Sequence, residues 1–382
     1  MARGILRTPL VTALAGTLLM SGAASSESLL LVADSTGDKF WAFSAVDGRL
    51  ISSNYIPDDG RMVQPRQCVR LPSGSWYIGE QGGLEGCSAA DAIIEHSSPG
   101  IFVRRVQDQS TGICDPNAIC LRDGKVWIGR GDSIANSVGG ANGIYSMNLD
   151  GTGLAAVSVP PNLVSLRGMA PVPGGFVVAD YWTVSVTGQP TQHFTRLWRI
   201  ASDGGSVTLF HEPAPSGLRL PGQVAPMANG GVVVAGFSGE SVGLHFFNAD
   251  GSPGTPAYYR TQGPSWTVFP PRGCYPLENG RVLYSGGTVV GVVDPVMQEE
   301  FIVVNAIGGS QWGAANFSVI SKVDVPDCPA DLDRNRSVNG DDLGILLVSW
   351  GPGGGSADLT GDGSVNGDDL GLLLVAWGAC GN

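Results

Sequence analysis

The chain has 382 residues, of which 57 are glycine and 15% are charged, and it carries a net charge of −12. An acidic chain without a basic stripe is no partner for nucleic acid, whose phosphates call for clustered Lys and Arg. The charge is uneven: from Asp327 onward nine Asp stand against two Arg, which puts −7 in the last 56 residues, the mark of a solvated tail or of a cation site.

The first residues read as an export signal. Arg3 and Arg7 precede the apolar VTALAGTLLM, and SGAAS follows with small residues suited to cleavage near Ala24 or Ser25. Residues 1–25 are expected to be a signal peptide, too short in its apolar core to span a bilayer, and no later stretch reaches about 18 uninterrupted apolar residues. The expected location is secreted or at the cell surface, the periplasm included. Seven cysteines suit that setting. Cys328 and Cys380 bracket the tail and are expected to pair. Cys114 and Cys120 are close enough to close a small loop, and Cys68 with Cys87 would leave Cys274 free and buried, although sequence alone does not fix the connectivity.

Residues 27–325 have an all-β character. Short apolar runs alternate with Gly, Asn, Asp and Pro turns, and no long stretch has a helical period. Six runs repeat: SLLLVAD from Ser28, GSWYIGE from Gly74, GKVWIGR from Gly124, GGFVVAD from Gly174, GGVVVAG from Gly230 and GRVLYSG from Gly280. Their offsets are 46, 50, 50, 56 and 50 residues. From the second on, each follows a segment such as PRQCVRLPSG or PNAICLRDG, and a third strand such as FWAFSAVDG, GIFVRRV, GIYSMNLDG, RLWRIASDG or GLHFFNADG comes after. A period of 40–50 residues with about four short strands predicts a six-bladed β-propeller. The first run lacks a preceding inner strand. QWGAANFSVI from Gln311 is expected to supply it, so that the chain closes its own ring.

In such a ring the starts of the inner strands and the ends of the second strands open onto one face. The inner starts carry Arg66, Asn117, Arg167, Gln223, Arg272 and Gln311, and the second strands end in Asp34, Glu80, Arg130 and Asp180. Long loops follow in blades two, three and four. Arg66, Glu80, Asn117, Arg130, Arg167, Asp180 and Arg272 are therefore the candidate ligand-binding residues, with the arginines suited to a carboxylate or other small anion. Ion pairs tying neighbouring blades would use the same residues. His96, His193, His211 and His245 show no metal-ligand spacing, and neither a GxSxG elbow nor a phosphate loop is present.

The pattern PNAICLRDGKVWIG and the recurring VVAD-type strand ends resemble the NHL and gluconolactonase/regucalcin-like six-bladed propellers. That resemblance implies the fold. The lactonase-like members hold a divalent cation with Glu, Asn and Asp from inner strands. Asn117 matches the Asn, but Arg or Gln stands where the family has Glu, which counts against the activity.

The tail states its design twice. ADLDRNRSVNGDDLGILLVSWG from Ala330 and ADLTGDGSVNGDDLGLLLVAWG from Ala357 agree at 16 of 22 positions with an offset of 27. EF-hand-type loops place oxygen ligands at positions 1, 3, 5, 7, 9 and 12. These are Asp331, Asp333, Asn335, Ser337, Asn339 and Asp342 in the first copy, and Asp358, Thr360, Asp362, Ser364, Asn366 and Asp369 in the second. Two Ca2+ ions are expected. Position 6 holds Gly363 in the second loop but Arg336 in the first, a departure from the glycine rule. Each loop runs into a short apolar helix ending near Trp350 or Trp377, and a Cys328–Cys380 bridge would staple the pair.

Duplicated loops of this kind resemble type I dockerin domains. The resemblance implies a small α-helical, EF-hand-like module over 327–382 and a cohesin-like or other surface or scaffold partner, met at Gly340, Asp341, Gly367 and Asp368. Where dockerins often carry basic residues further along the helix, this chain has Leu347, Val348, Leu374 and Val375, which suits a more apolar partner. The function expected is a secreted or cell-surface binding protein with a calcium-dependent docking tail. The alternative is a propeller hydrolase or lyase, directed at carbohydrate or lactone, attached through the same tail.

Overall fold

The computed structural model describes residues 27–380 apart from 83–87, 132–142, 159–162, 164, 185–187, 189–191, 213–216, 239–240, 308–312, 326–327, 334, 336, 353–354 and 361. The signal-peptide reading, Cys87, Gln311 and Arg336 lie outside the described residues.

Six four-stranded antiparallel sheets follow one another along the chain. The inner strands of blades two to six are Pro65–Arg70, Pro116–Arg122, Leu166–Val172, Pro221–Pro226 and Gly273–Pro276. Blade one takes its inner strand from the far end of the body: Phe317–Val325 pairs antiparallel with Glu27–Asp34. Each inner strand packs on the inner strands of both neighbours, blade six on blade one included, so the sheets form a closed six-bladed β-propeller. Closure gives every blade a neighbour on both faces.

The apolar runs are continuous rather than alternating because each second strand is buried on both faces. In blade one, Leu29, Leu31 and Ala33 pack toward Cys68, Trp76 and Ile78 of blade two. Leu30 and Val32 pack toward Leu283, Val290 and Val292 of blade six. Four further clusters fill the other blade interfaces in the same way. The outer strands face water on one side, as the largely exposed Ile101–Asp108 illustrates.

Three expectations are corrected. The third strand of blade two is Ala92–Ser98, and Ile101–Asp108, read above as the third, is the outer strand. The Ala92–Ser98 strand was hidden in a stretch taken for a long loop. Cys68 and Cys120 are free thiols, so neither pairs as expected, while Cys274 is free and buried as expected. Cys68 is committed to the core between blades one and two. Cys114 is disulfide-bonded. In blade five the residue aligned with the arginines is Gly222 and not Gln223: Pro221 pairs with Gly236 as Pro65 pairs with Glu80, so Gly222 takes the place of Arg66.

In the tail, α1 (Gly340–Val348) and α2 (Gly367–Val375) pack on each other. Their core is six buried residues in three repeat-related pairs: Ala330 with Ala357, Val338 with Val365, and Leu346 with Leu373. Each loop pairs with the chain that follows the other helix: Val338 with Gly378, and Val365 with Gly351. The Cys328–Cys380 disulfide joins the ends. No helix among the described residues is long and apolar enough to cross a membrane.

Candidate functional site at the channel mouth

The starts of the inner strands share one construction. Pro65, Pro116 and Pro221 pair with the last residue of the second strand, Glu80, Arg130 and Gly236, and Leu166 pairs with Asp180 of a second strand that runs on to Val184; a bulge follows in each. In blades two, three and five the residue before that proline, Gln64, Asp115 or Leu220, holds a positive φ of 40–46°, a left-handed conformation that non-glycine residues rarely adopt. The residue in the bulge is Arg66, Asn117, Arg167 or Gly222 in blades two to five. By register the matching residue is Arg272 in blade six, just before the strand Gly273–Pro276, whose N–H donates to Ser285 O, and Ser318 in blade one. Arginine thus stands in alternate blades. Gly222 has no side chain to offer, and a Cβ there would lie 2.3 Å from Arg272 O.

All three arginines are half-buried, and among the described residues none forms an ion pair. Each has a neutral support, one residue beyond the second-strand residue that faces an inner-strand start. Arg66 donates to Gln81 Oε1, and Gln81 in turn donates to Asp115 Oδ1 at 2.8 Å. Arg167 lies over Tyr181, 5.7 Å from the ring centroid, and Arg272 lies over Phe237 at 4.9 Å. Burial pulls the Arg66 guanidinium down to about 10, helped by the charges of Arg272 and Arg167 and opposed by Asp115. Arg272 is also lowered, by burial. Nε of Arg66 and Nε of Arg167 are buried without a hydrogen-bond partner. Arg66 thus feels the charges of both other arginines, and two of the three keep a buried donor without a partner, an arrangement chemically suited to a small anion.

The remaining candidates serve the scaffold. Asp180 accepts from Ser165 N at 2.9 Å and from Trp198 Nε1 at 3.4 Å. Asp34, its counterpart, accepts from Thr36, Gly37 and Asn316 backbone N–H groups and from Trp41 Nε1. Asn117 donates Nδ2 to Leu166 O and Gly131 O. Arg130 is buried at the end of its strand. Glu80 is wholly buried and accepts from Val63 N at 2.8 Å. Its titration is pushed up to about 7, by burial first and by Asp59 and Asp38 further, against the Val63 N–H and Arg105. It belongs to the blade one–two boundary rather than to the arginines. A divalent cation does not fit this mouth, where the bulge residues are arginine or uncharged.

One residue below the arginines the channel narrows to a waist that the sequence did not reveal. Gln67 and Gln223 both donate Nε2 to Ile320 O, at 3.0 and 2.6 Å. Gln223 Oε1 accepts from Ile320 N at 2.7 Å and Cys274 N at 3.3 Å, and Gln67 Oε1 accepts from Ile119 N at 3.1 Å. Beyond the waist a cavity of about 260 Å³ is lined by Cys120, Met169, Tyr275, Lys322 and Asp324 among others.

In the tail, oxygens of Asp331, Asp333 and Asp342 lie within 4.8 Å of one another. Asp342 also accepts from Leu332 N, Asp333 N and Asn339 N, which aims it into the loop. In the second loop Asp369 accepts from Thr360 N and Asn366 N, and Asp358 from Asp362 N and Gly363 N. Gly363 has φ +90°, the turn that position 6 demands. The donor set, carboxylate and amide oxygens on a tight loop, fits a hard cation.

No family model matches the chain, and no curated protein is similar to it. Among solved structures, a gluconolactonase from Xanthomonas campestris is similar over 67% of this chain and 78% of its own, with 11% identity and a TM-score of 0.44. A Bacteroides fragilis protein with a provisional 6-phosphogluconolactonase assignment is similar over 80% of this chain and 99% of its own, with 12% identity and a TM-score of 0.47. Neither likeness bears on the chemistry of the mouth. The six-bladed ring stands on the strand pairing described above.

Proposed function

We propose that the chain is an exported binding protein that captures a small anion at the mouth of its propeller and docks through a calcium-folded tail. The observation that carries the first part is the presence of Arg66, Arg167 and Arg272 at one equivalent position of alternate blades, with no ion-pair partner among the described residues. The overall charge of −12 favours a single small anion over a polyanion, which the rest of the surface repels. The test is thermal unfolding of the full chain against small anions and neutral sugars. Stabilisation by anions alone supports the reading; stabilisation by neutral sugars alone defeats it.

The tail reading draws support from the converging carboxylates of the first loop and from exposed apolar side chains in repeated positions. Leu347, Val348 and Trp350 of the first copy, and Leu374, Val375 and Trp377 of the second, are all exposed. Paired apolar patches on so small a module suit an apolar groove on a surface or scaffold protein. Calcium titration of the full chain is expected to give two ions. Asp342→Asn should remove one and Asp369→Asn the other, and absence of binding at millimolar calcium would sink this part.

The hydrolase or lyase alternative would draw on Glu80, which titrates at about 7, in the range of a general acid–base group. Its side chain is sealed from solvent, so the binding reading is preferred.

A further inference from the structure

We infer that the captured anion is a tetrahedral oxyanion, the sulfate or phosphate group of a monoester, seated on the propeller axis with one oxygen toward each of Arg66, Arg167 and Arg272. This rests on the anion-capture reading above and names its ligand class.

The argument is one of symmetry and stoichiometry. Six blades of one fold surround the axis, and the three arginines occupy matching register positions at the inner-strand starts of blades two, four and six. Equivalent positions in alternate blades lie a third of a turn apart. A carboxylate has two oxygens in one plane, so at least one of the three arginines has no oxygen of its own to meet. A tetrahedral group viewed down one of its bonds presents three oxygens a third of a turn apart, one for each arginine.

The intervening bulge positions do not compete. They hold Asn117, Gly222 and Ser318, none of them charged. Asn117 Nδ2 is already spent on two carbonyls. Ser318 is buried.

The fourth bond of the group has one direction open to it. On the inner side the waist closes the channel, where Ile320 O already accepts from both Gln67 and Gln223. The ester bond therefore points outward, toward the loops, and the remainder of the ligand lies outside the ring. Charge agrees as well. Three guanidinium groups, one of them near Asp115, exceed the single or double charge of such a group by little.

The test is titration calorimetry of the full chain with sodium sulfate, sodium phosphate and sodium malonate at matched ionic strength. It is repeated with Arg66→Gln, Arg167→Gln and Arg272→Gln, and with Arg66→Lys should the glutamine variant fail to fold. One oxyanion per chain is expected, and each substitution should weaken it about tenfold or more, by comparable factors. Binding of sulfate alone or phosphate alone would support the seat and identify the ester. Tighter binding of malonate, or one arginine carrying the whole effect, would overturn the tetrahedral seat and leave anion capture standing. No heat from any of the three salts would overturn both.

Discussion

Arg272 of blade six lies over the ring of Phe237, which belongs to blade five, at 4.9 Å from the centroid. The proposed anion seat would thus be held by a contact between blades, and Phe237 would act on a ligand only through Arg272. Phe237→Leu keeps apolar bulk and removes the ring face. A cation–π contact at a half-buried site contributes about 0.5–2 kcal/mol. The expected outcome is a severalfold loss of sulfate or phosphate affinity by calorimetry, with the melting temperature unchanged within a degree or two.

Gln223 reaches across the ring from blade five to blade one, and its side chain satisfies Ile320 O, Ile320 N and Cys274 N. Gln223→Ala would leave two buried N–H groups without a partner, at about 1–3 kcal/mol each. A destabilisation of about 2–4 kcal/mol in urea unfolding is expected. A change below about 0.5 kcal/mol would mean that the waist holds nothing together.

Glu80 gives the propeller a pH dependence with a definite sign. Its folded-state titration lies at about 7, above the ordinary 4.5, so between these values the folded protein holds a proton that the unfolded chain releases. Unfolding is then opposed at low pH, and that stability is lost as pH rises through about 7. Relative to Glu80→Gln, which keeps an acceptor for Val63 N, the wild type should lose on the order of 2–3 kcal/mol between pH 5 and pH 8. His96 and His245, lowered by burial, are common to both proteins and cancel in the difference.

The tail core repeats itself, and its energetics should repeat as well. Leu346 and Leu373 are both fully buried at corresponding positions. Leu346→Ala and Leu373→Ala should each destabilise the module by about 2–4 kcal/mol, and by similar amounts, read as faster amide exchange of α1 and α2 in the full chain.

The Cys328–Cys380 bridge spans 52 residues and contributes about 4 kcal/mol on a loop-entropy account. Replacing both cysteines by serine and chelating calcium together should unfold the helices. Either treatment alone should leave amide protection in place, and protection surviving both would show that neither is needed.

The ring was legible in the sequence because strands buried on both faces must be apolar at every position, and SLLLVAD or GGVVVAG carry that mark. The arginine mouth was legible from Arg66, Arg167 and Arg272 at the starts of aligned segments. The bulge was not. It is the same in blades two to five, so PGQ aligns with PRQ residue for residue: Gly222 matches Arg66, and Gln223 matches Gln67 of the waist. The strand Ala92–Ser98 went unread because turn-forming residues surround it. A strand-end aspartate does not announce its partner: Asp34 could have met an arginine, and instead accepts from backbone N–H groups and a tryptophan. Cysteine pairing depends on which strands become neighbours, and the linear spacing of Cys114 and Cys120 held no such information.

The strand that closes the ring also leads to the tail. Phe317 lies at the arginine face, and Val325 ends the same strand on the opposite face, about 26 Å away at roughly 3.3 Å per residue. Tension between an object held at the mouth and an anchor gripping the tail would run along this strand. It would load the hydrogen bonds to Glu27–Asp34 in shear, many at once, rather than peel them apart singly. The seam of the propeller is in this sense a mechanical clasp, drawn lengthwise by the pull that attachment would exert.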